Sequence, residues 1–167
     1  MFEKLNTPEE IFSFKLGAAL SMENTVVESL QDMQKETNRD EIRQMLAQHE
    51  TETRQHIANI ERSFELLGEK VDDSPCPAME GIAKEGKATL KKIDDSIVDA
   101  GILSGAIETE HHEIAVYEIL ITNAKARGAD EVAALMRQNL ESEQQTLEKV
   151  KAVAERIATG EGYAVAA

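Results

Sequence analysis

Long apolar stretches are missing from this chain. No run approaches the roughly 20 residues that a helix needs to cross a bilayer, so no membrane role is expected. Cysteine is almost absent: Cys76 stands alone, which rules out an internal disulfide and makes a reducing cytoplasm the expected location. The opening residues, MFEKLNTPEE, lack the apolar segment of a secretory signal. Basic residues are scarce, 18 against 32 acidic ones, for a formal net charge of -14. Such a surface repels phosphate backbones, so nucleic acid is not an expected partner, whereas cations, metal ions included, are attracted.

What is present is helix. The 167 residues suit one domain over 1–167, long enough to bury a core. Thr7-Pro8-Glu9-Glu10 carries a capping box and a proline suited to the first helical turn. Phe12, Leu16, Ala19, Glu23, Val26, Leu30 and Met33 then recur at steps of four and three, one helical face. Lys35 to Asn38 reads as a turn, and Asn38-x-x-Glu41 as a cap for a second helix that stops at Gly68. Residues 69–77 (EKVDDSPCP) read as a loop, followed by a shorter helix bearing Met79, Ile82, Leu90 and Ile93. A third long helix is expected from about Asp94–Ser96 to Gly128, and a fourth from Ala129 or Asp130 to Gly160. A frayed tail is expected over about 159–167. Short first and last turns with a long middle link predict an all-α fold. It is a ferritin-like antiparallel four-helix bundle, with a short extra helix in the crossover between helices two and three.

Each long helix carries a glutamate on the stripe that should be apolar: Glu23, Glu52, Glu110 and Glu143. All four fall near the middles of helices roughly 45 Å long, at 1.5 Å per residue. Antiparallel packing would therefore gather them in one core layer. Ionised and unpaired, buried carboxylates are too costly to keep. Two divalent or trivalent cations would neutralise them, and carboxylate with imidazole suits iron or manganese, with zinc also allowed. His56, four residues after Glu52, and Glu113, three after Glu110, are the next candidates as metal ligands, and His49 ranks last. A single glutamate on such a stripe is usually half-exposed or hydrogen-bonded; four aligned ones with neighbouring histidines point to a metal site. His111 and His112 flank the stripe and read as supporting or surface residues. Tyr117 reads as a core tyrosine with a bonded hydroxyl rather than a redox-active phenol.

The segments SMENTVVESL, HETETRQHIANIERSFELLG, CPAMEG, ETEHHEIAVYEIL and LESEQ span nearly the whole chain. In them the sequence resembles the YciE/YciF-like bacterial stress proteins of the ferritin-like superfamily. The resemblance implies a dinuclear metal centre in a helical bundle and a homodimer. Two positions depart from the broader ferritin-like pattern of Glu-x-x-His: Gln55 stands three residues after Glu52, with the histidine at 56, and Thr146 stands three after Glu143. Two iron ions reacting with oxygen or peroxide in a stress response is the leading expectation. A dimanganese centre is its variant, and a metal-stabilised structural or interaction protein without turnover is the alternative. A mineral-storing shell ranks last.

Overall fold

The computed structural model describes residues 4–160, and among them every regular element is helical. Five α-helices follow one another: α1 (Pro8–Glu36), α2 (Asp40–Leu67), α3 (Pro77–Leu90), α4 (Val98–Ala126) and α5 (Asp130–Ala158). The four long ones form a helical bundle in which α1 packs on α2, α4 on α5, α1 on α4 and α2 on α5. None of the described helices is long and apolar enough to cross a membrane. Of the expected frayed tail, Thr159 and Gly160 form the turn closing α5 and residues 161–167 lie outside the described residues.

Local chemistry sets most boundaries. The Thr7 hydroxyl accepts from the Glu10 N–H, and the Glu10 carboxylate accepts in return from the Thr7 N–H at 3.1 Å, closing the expected capping box. Gly68 ends α2 with φ 70°, a left-handed conformation that glycine adopts without a Cβ penalty. The cap of α2 differs from expectation. Arg39 occupies the cap position without a side-chain bond. Asn38 is diverted: its side chain donates to the Asp95 carbonyl at 2.7 Å and its N–H to the Asp99 carboxylate at 3.1 Å. Asp99 also accepts from the Thr37 hydroxyl and lies 3.3 Å from the Arg39 guanidinium. The first turn is thereby tied to the start of α4. That start is also delayed: a short 3₁₀ turn, Asp95–Ile97, precedes α4 and is capped by Asp94.

The link from α2 to α3 runs back along one face of α1. Ser13 donates to Glu69 at 2.9 Å and Ser21 to the Asp73 carbonyl at 3.0 Å, and Gly17 lies between them. A Cβ on Gly17 would come within 2.9–3.1 Å of Asp72 and Ser74 atoms, so the link needs glycine there to lie this close. α3 then packs on α1 and α4, burying Met79. The core is apolar toward both ends, with Phe12, Leu16, Ile60, Phe64 and Tyr117 among its largest members, and polar in the middle.

Candidate metal centre

The polar middle draws on all four long helices. α1 brings Glu23, α2 His49 and His56, α4 Glu110 and Glu113, and α5 Glu143. None of these six is more than 3% exposed. They fall into two overlapping groups, His49–Glu110–Glu113–Glu143 and Glu23–His56–Glu143, whose polar atoms lie within 4.8 Å of one another. Glu143 belongs to both. Its Oε1 is 2.8 Å from His56 Nδ1, and its Oε2 is 3.9 Å from His49 Nε2, so its two oxygens face different groups. Helical periodicity explains the convergence: residues three or four apart share a face, and each helix meets its neighbours near mid-length.

The electrostatics are those of a cluster short of positive charge. Burial, reinforced by Glu143, Glu23 and Glu110, pushes the Glu113 carboxyl well above the carboxylate range. Burial also raises Glu143 to about 7, with His56 working against it. For His56, burial disfavours the charged form, but Glu143 and Glu23 outweigh it and raise the imidazole to about 9. His49 is raised in the same way, against burial, by Glu110 and Glu52. Protons thus stand in for cations.

Even so, the cluster remains unsatisfied. Glu23 Oε2, Glu110 Oε2, both oxygens of Glu113 and Glu143, both ring nitrogens of His49 and Nδ1 of His56 have no hydrogen-bond partner. Protein interiors rarely leave buried polar atoms so. His49 Nε2 lies 2.9 Å from Glu110 Oε1, and His56 Nδ1 2.8 Å from Glu143 Oε1, yet neither pair is aligned as a hydrogen bond. Two ligand atoms about 2.1 Å from one ion and at right angles would stand about 3.0 Å apart. Atoms this close without a hydrogen bond between them have the spacing of two ligands of one ion. The residues therefore fit metal ions, and the carboxylate-rich set with two imidazoles suits iron, manganese or zinc.

Glu52, among the first candidates from sequence, stands outside both groups. The inward line of α2 is His49, Thr53, His56 and Ile60, each buried, and Glu52 sits one residue off it. Its side chain is 29% exposed, toward α5. There Glu52 accepts from Gln48 at 2.9 Å and from the Thr146 hydroxyl at 3.5 Å, with Oε2 3.8 Å from His49 Nδ1. His49 holds the carboxyl of Glu52 down at about 2. The low-ranked His49 is thus within the cluster, and Glu52 is behind it. His111 is exposed, and His112 is half-buried with Nε2 3.9 Å from Cys76 Sγ; neither joins the cluster.

Two buried amides adjoin the site without a motif in the sequence to mark them. Asn59 and Asn139 lie next to the site, and Asn59 donates to Asn139 Oδ1 at 2.7 Å. Asn139 is one turn before Glu143 and Asn59 one turn after Gln55. Their signal was a polar residue at an inward position, the same as that of the glutamates but without charge to draw attention.

Comparison with known proteins gives a consistent match. The sequence family described as "Domain of unknown function (DUF892)" matches residues 7–161. Protein YciF of Escherichia coli (strain K12) is 29% identical over 144 residues, covering 85% of this chain and 87% of that protein. The crystal structure of the E. coli stress protein YciF superposes with a TM-score of 0.87 at 27% identity, over 93% of this chain and 99% of that one. YcfI of Rhodopseudomonas palustris, provisionally described as a structural protein, superposes with a TM-score of 0.87 at 29% identity, over 90% of this chain and 98% of that one.

Proposed function

The chain belongs to the DUF892 family, and on that premise we propose that it is a dinuclear transition-metal protein. Two ions, iron by first choice with manganese or zinc as substitutes, would be held by Glu23, His49, His56, Glu110, Glu113 and Glu143. The observation that carries this reading is the set of buried carboxylate oxygens and imidazole nitrogens that no hydrogen bond satisfies. Glu143 would be the residue shared by both ions, since its oxygens face different groups. The fold on this reading is a ferritin-like bundle, with α3 as the extra helix of the crossover.

Ferrous ions, if bound there, would supply electrons for reducing oxygen or peroxide. The residues do the rest. Burial of all six groups keeps bulk water from the centre, and the partly exposed Glu52 on the α2–α5 seam is one polar contact between cluster and surface. A small oxidant suits so enclosed a site better than a bulky substrate. E. coli YciF is described as a stress protein, and by that likeness the reaction serves a stress response; a cytoplasmic location and a homodimer are further parts of the proposal.

The same enclosure favours a second reading, in which the ions only brace the bundle. Aerobic addition of Fe(II) to the metal-free protein separates the two. Turnover predicts growth of the near-ultraviolet absorption of ferric carboxylates with consumption of oxygen or added peroxide. Two ions bound with neither change would leave the structural role.

A further inference from the structure

A ladder of hydrogen bonds runs from the surface of α2 to one oxygen of Glu23. Gln55 Nε2 donates to Asn59 Oδ1 at 3.1 Å, Asn59 Nδ2 to Asn139 Oδ1 at 2.7 Å, and Asn139 Nδ2 to the Tyr117 hydroxyl at 3.1 Å. The Tyr117 hydroxyl donates to Glu23 Oε1. Asn59 is 8% exposed, Asn139 and Tyr117 not at all.

The direction of every bond follows from one group. The backbone carbonyl of His56 can only accept, and it faces the Asn139 side chain at 3.3 Å, so that end of Asn139 is the NH2. Its second hydrogen then points at the Tyr117 oxygen, which leaves the phenol proton for Glu23. The other end of Asn139 is an acceptor, which turns Asn59 and, through it, Gln55 the same way round. All donors point toward Glu23, an arrangement in which each bond polarises the next. The consequence lies in the carboxylate. Glu23 Oε1 is occupied by the phenol, while Oε2 has no partner and lies 3.8 Å from His56 Nδ1, on the cluster side.

We propose that the Gln55–Asn59–Asn139–Tyr117 ladder is a positioning device that holds Glu23 to one-oxygen coordination, with Oε2 for the ion and Oε1 locked away. It rests on the dinuclear reading above. It also gives a role to Gln55, which stands where the broader ferritin-like pattern has histidine: an amide there starts the ladder, and His56 takes up the ligand position instead. Tyr117 acts through Glu23.

The test uses Zn(II), which has no redox chemistry of its own. The full-length metal-free protein is titrated with Zn(II), and the carboxylate stretches are read by difference infrared spectroscopy. Tyr117→Phe deletes the donor. Asn139→Asp keeps an acceptor for Asn59 but places a carboxylate beside the phenol, drawing its proton away from Glu23. Both variants should bind two Zn(II) per chain, as the wild type does, but with one glutamate shifted from one-oxygen to two-oxygen binding, a narrowing of its antisymmetric–symmetric splitting. Two Zn(II) bound with a wild-type infrared difference in both variants would overturn the ladder's role. So would loss of one Zn(II) in both with helicity intact, since the ladder would then be needed for binding itself. Failure of the wild type to bind Zn(II) would instead refute the dinuclear reading.

Discussion

Replacing Glu143 by glutamine separates what the site does for the fold from what it does for metal. The change keeps the side chain's volume and removes one negative charge from the only residue shared by the two groups. Its Oε1 lies 2.8 Å from His56 Nδ1 and its Oε2 3.9 Å from His49 Nε2, so each proposed ion loses an anionic ligand. Losing a mere outer partner of a ligand typically lowers metal affinity 10–100-fold. Loss of a shared ligand should exceed that, so affinity should fall more than about 100-fold, equivalent to about 2.8 kcal/mol. The fold should respond in the opposite sense. Burial raises the Glu143 carboxyl to about 7, despite the opposing pull of His56, so its ionised form is a net cost in the metal-free protein above that pH. At pH 8, roughly one unit above that value, metal-free Glu143→Gln should melt no lower than wild type. Competition titration with a chromophoric chelator gives the affinity, and circular dichroism gives the melting curve. Two ions bound with wild-type affinity would refute the bridging assignment.

Glu52→Ala should still bind two ions, with affinity lowered less than about 10-fold at one of them, because Glu52 stands 3.8 Å from His49 without a hydrogen bond to it and outside the cluster; stoichiometry by equilibrium dialysis decides, and loss of a full equivalent would make Glu52 a ligand. The metal-free protein should melt at progressively lower temperature as pH rises from 4.5 to about 9. Glu143, raised by burial, and His56, raised by its carboxylate neighbours against burial, both favour the folded state only while protonated, so their contribution fades as pH rises through about 7 and about 9 respectively. Melting curves across that range, with and without Zn(II), should diverge, since bound ions replace those protons and at about 1,000 times Kd add about 4 kcal/mol. Asp99→Ala should cost about 2–4 kcal/mol in denaturant titration, because it strips a buried acceptor from Thr37, Asn38 and Arg39 where the first turn meets α4.

The helices were legible because their signals are local. A capping box at Thr7–Glu10, a stop at Gly68 and apolar residues at steps of three and four need no knowledge of the rest of the chain. Glu23, Glu110, Glu113, Glu143 and His56 were legible as inward-facing for the same reason, and the structure brings them together. The order of His49 and Glu52 was not. They lie three residues apart on a broad inner face, and which of them enters the cluster depends on how α2 is rotated against α5, a tertiary choice that periodicity leaves open. Asn38 departs from its local signal for a similar reason: its sequence is that of a cap, but Asp95 and Asp99, remote in sequence, claim it. Asn59 and Asn139 carry no charge, so their inward positions signal a need for hydrogen bonds but not for a metal. Their role emerges only once Tyr117 and Glu23 stand beside them.

On the proposed function, the unsatisfied carboxylates and imidazoles in the core exist to hold two metal ions. Elemental analysis of protein purified from iron-replete cells, with anaerobic Fe(II) titration of the stripped protein, tests it directly. Saturation at about two transition-metal ions per chain, as ferritin-like carboxylate sites hold, is the predicted result. A stable, folded protein that is purified without metal and takes up none on titration would contradict it.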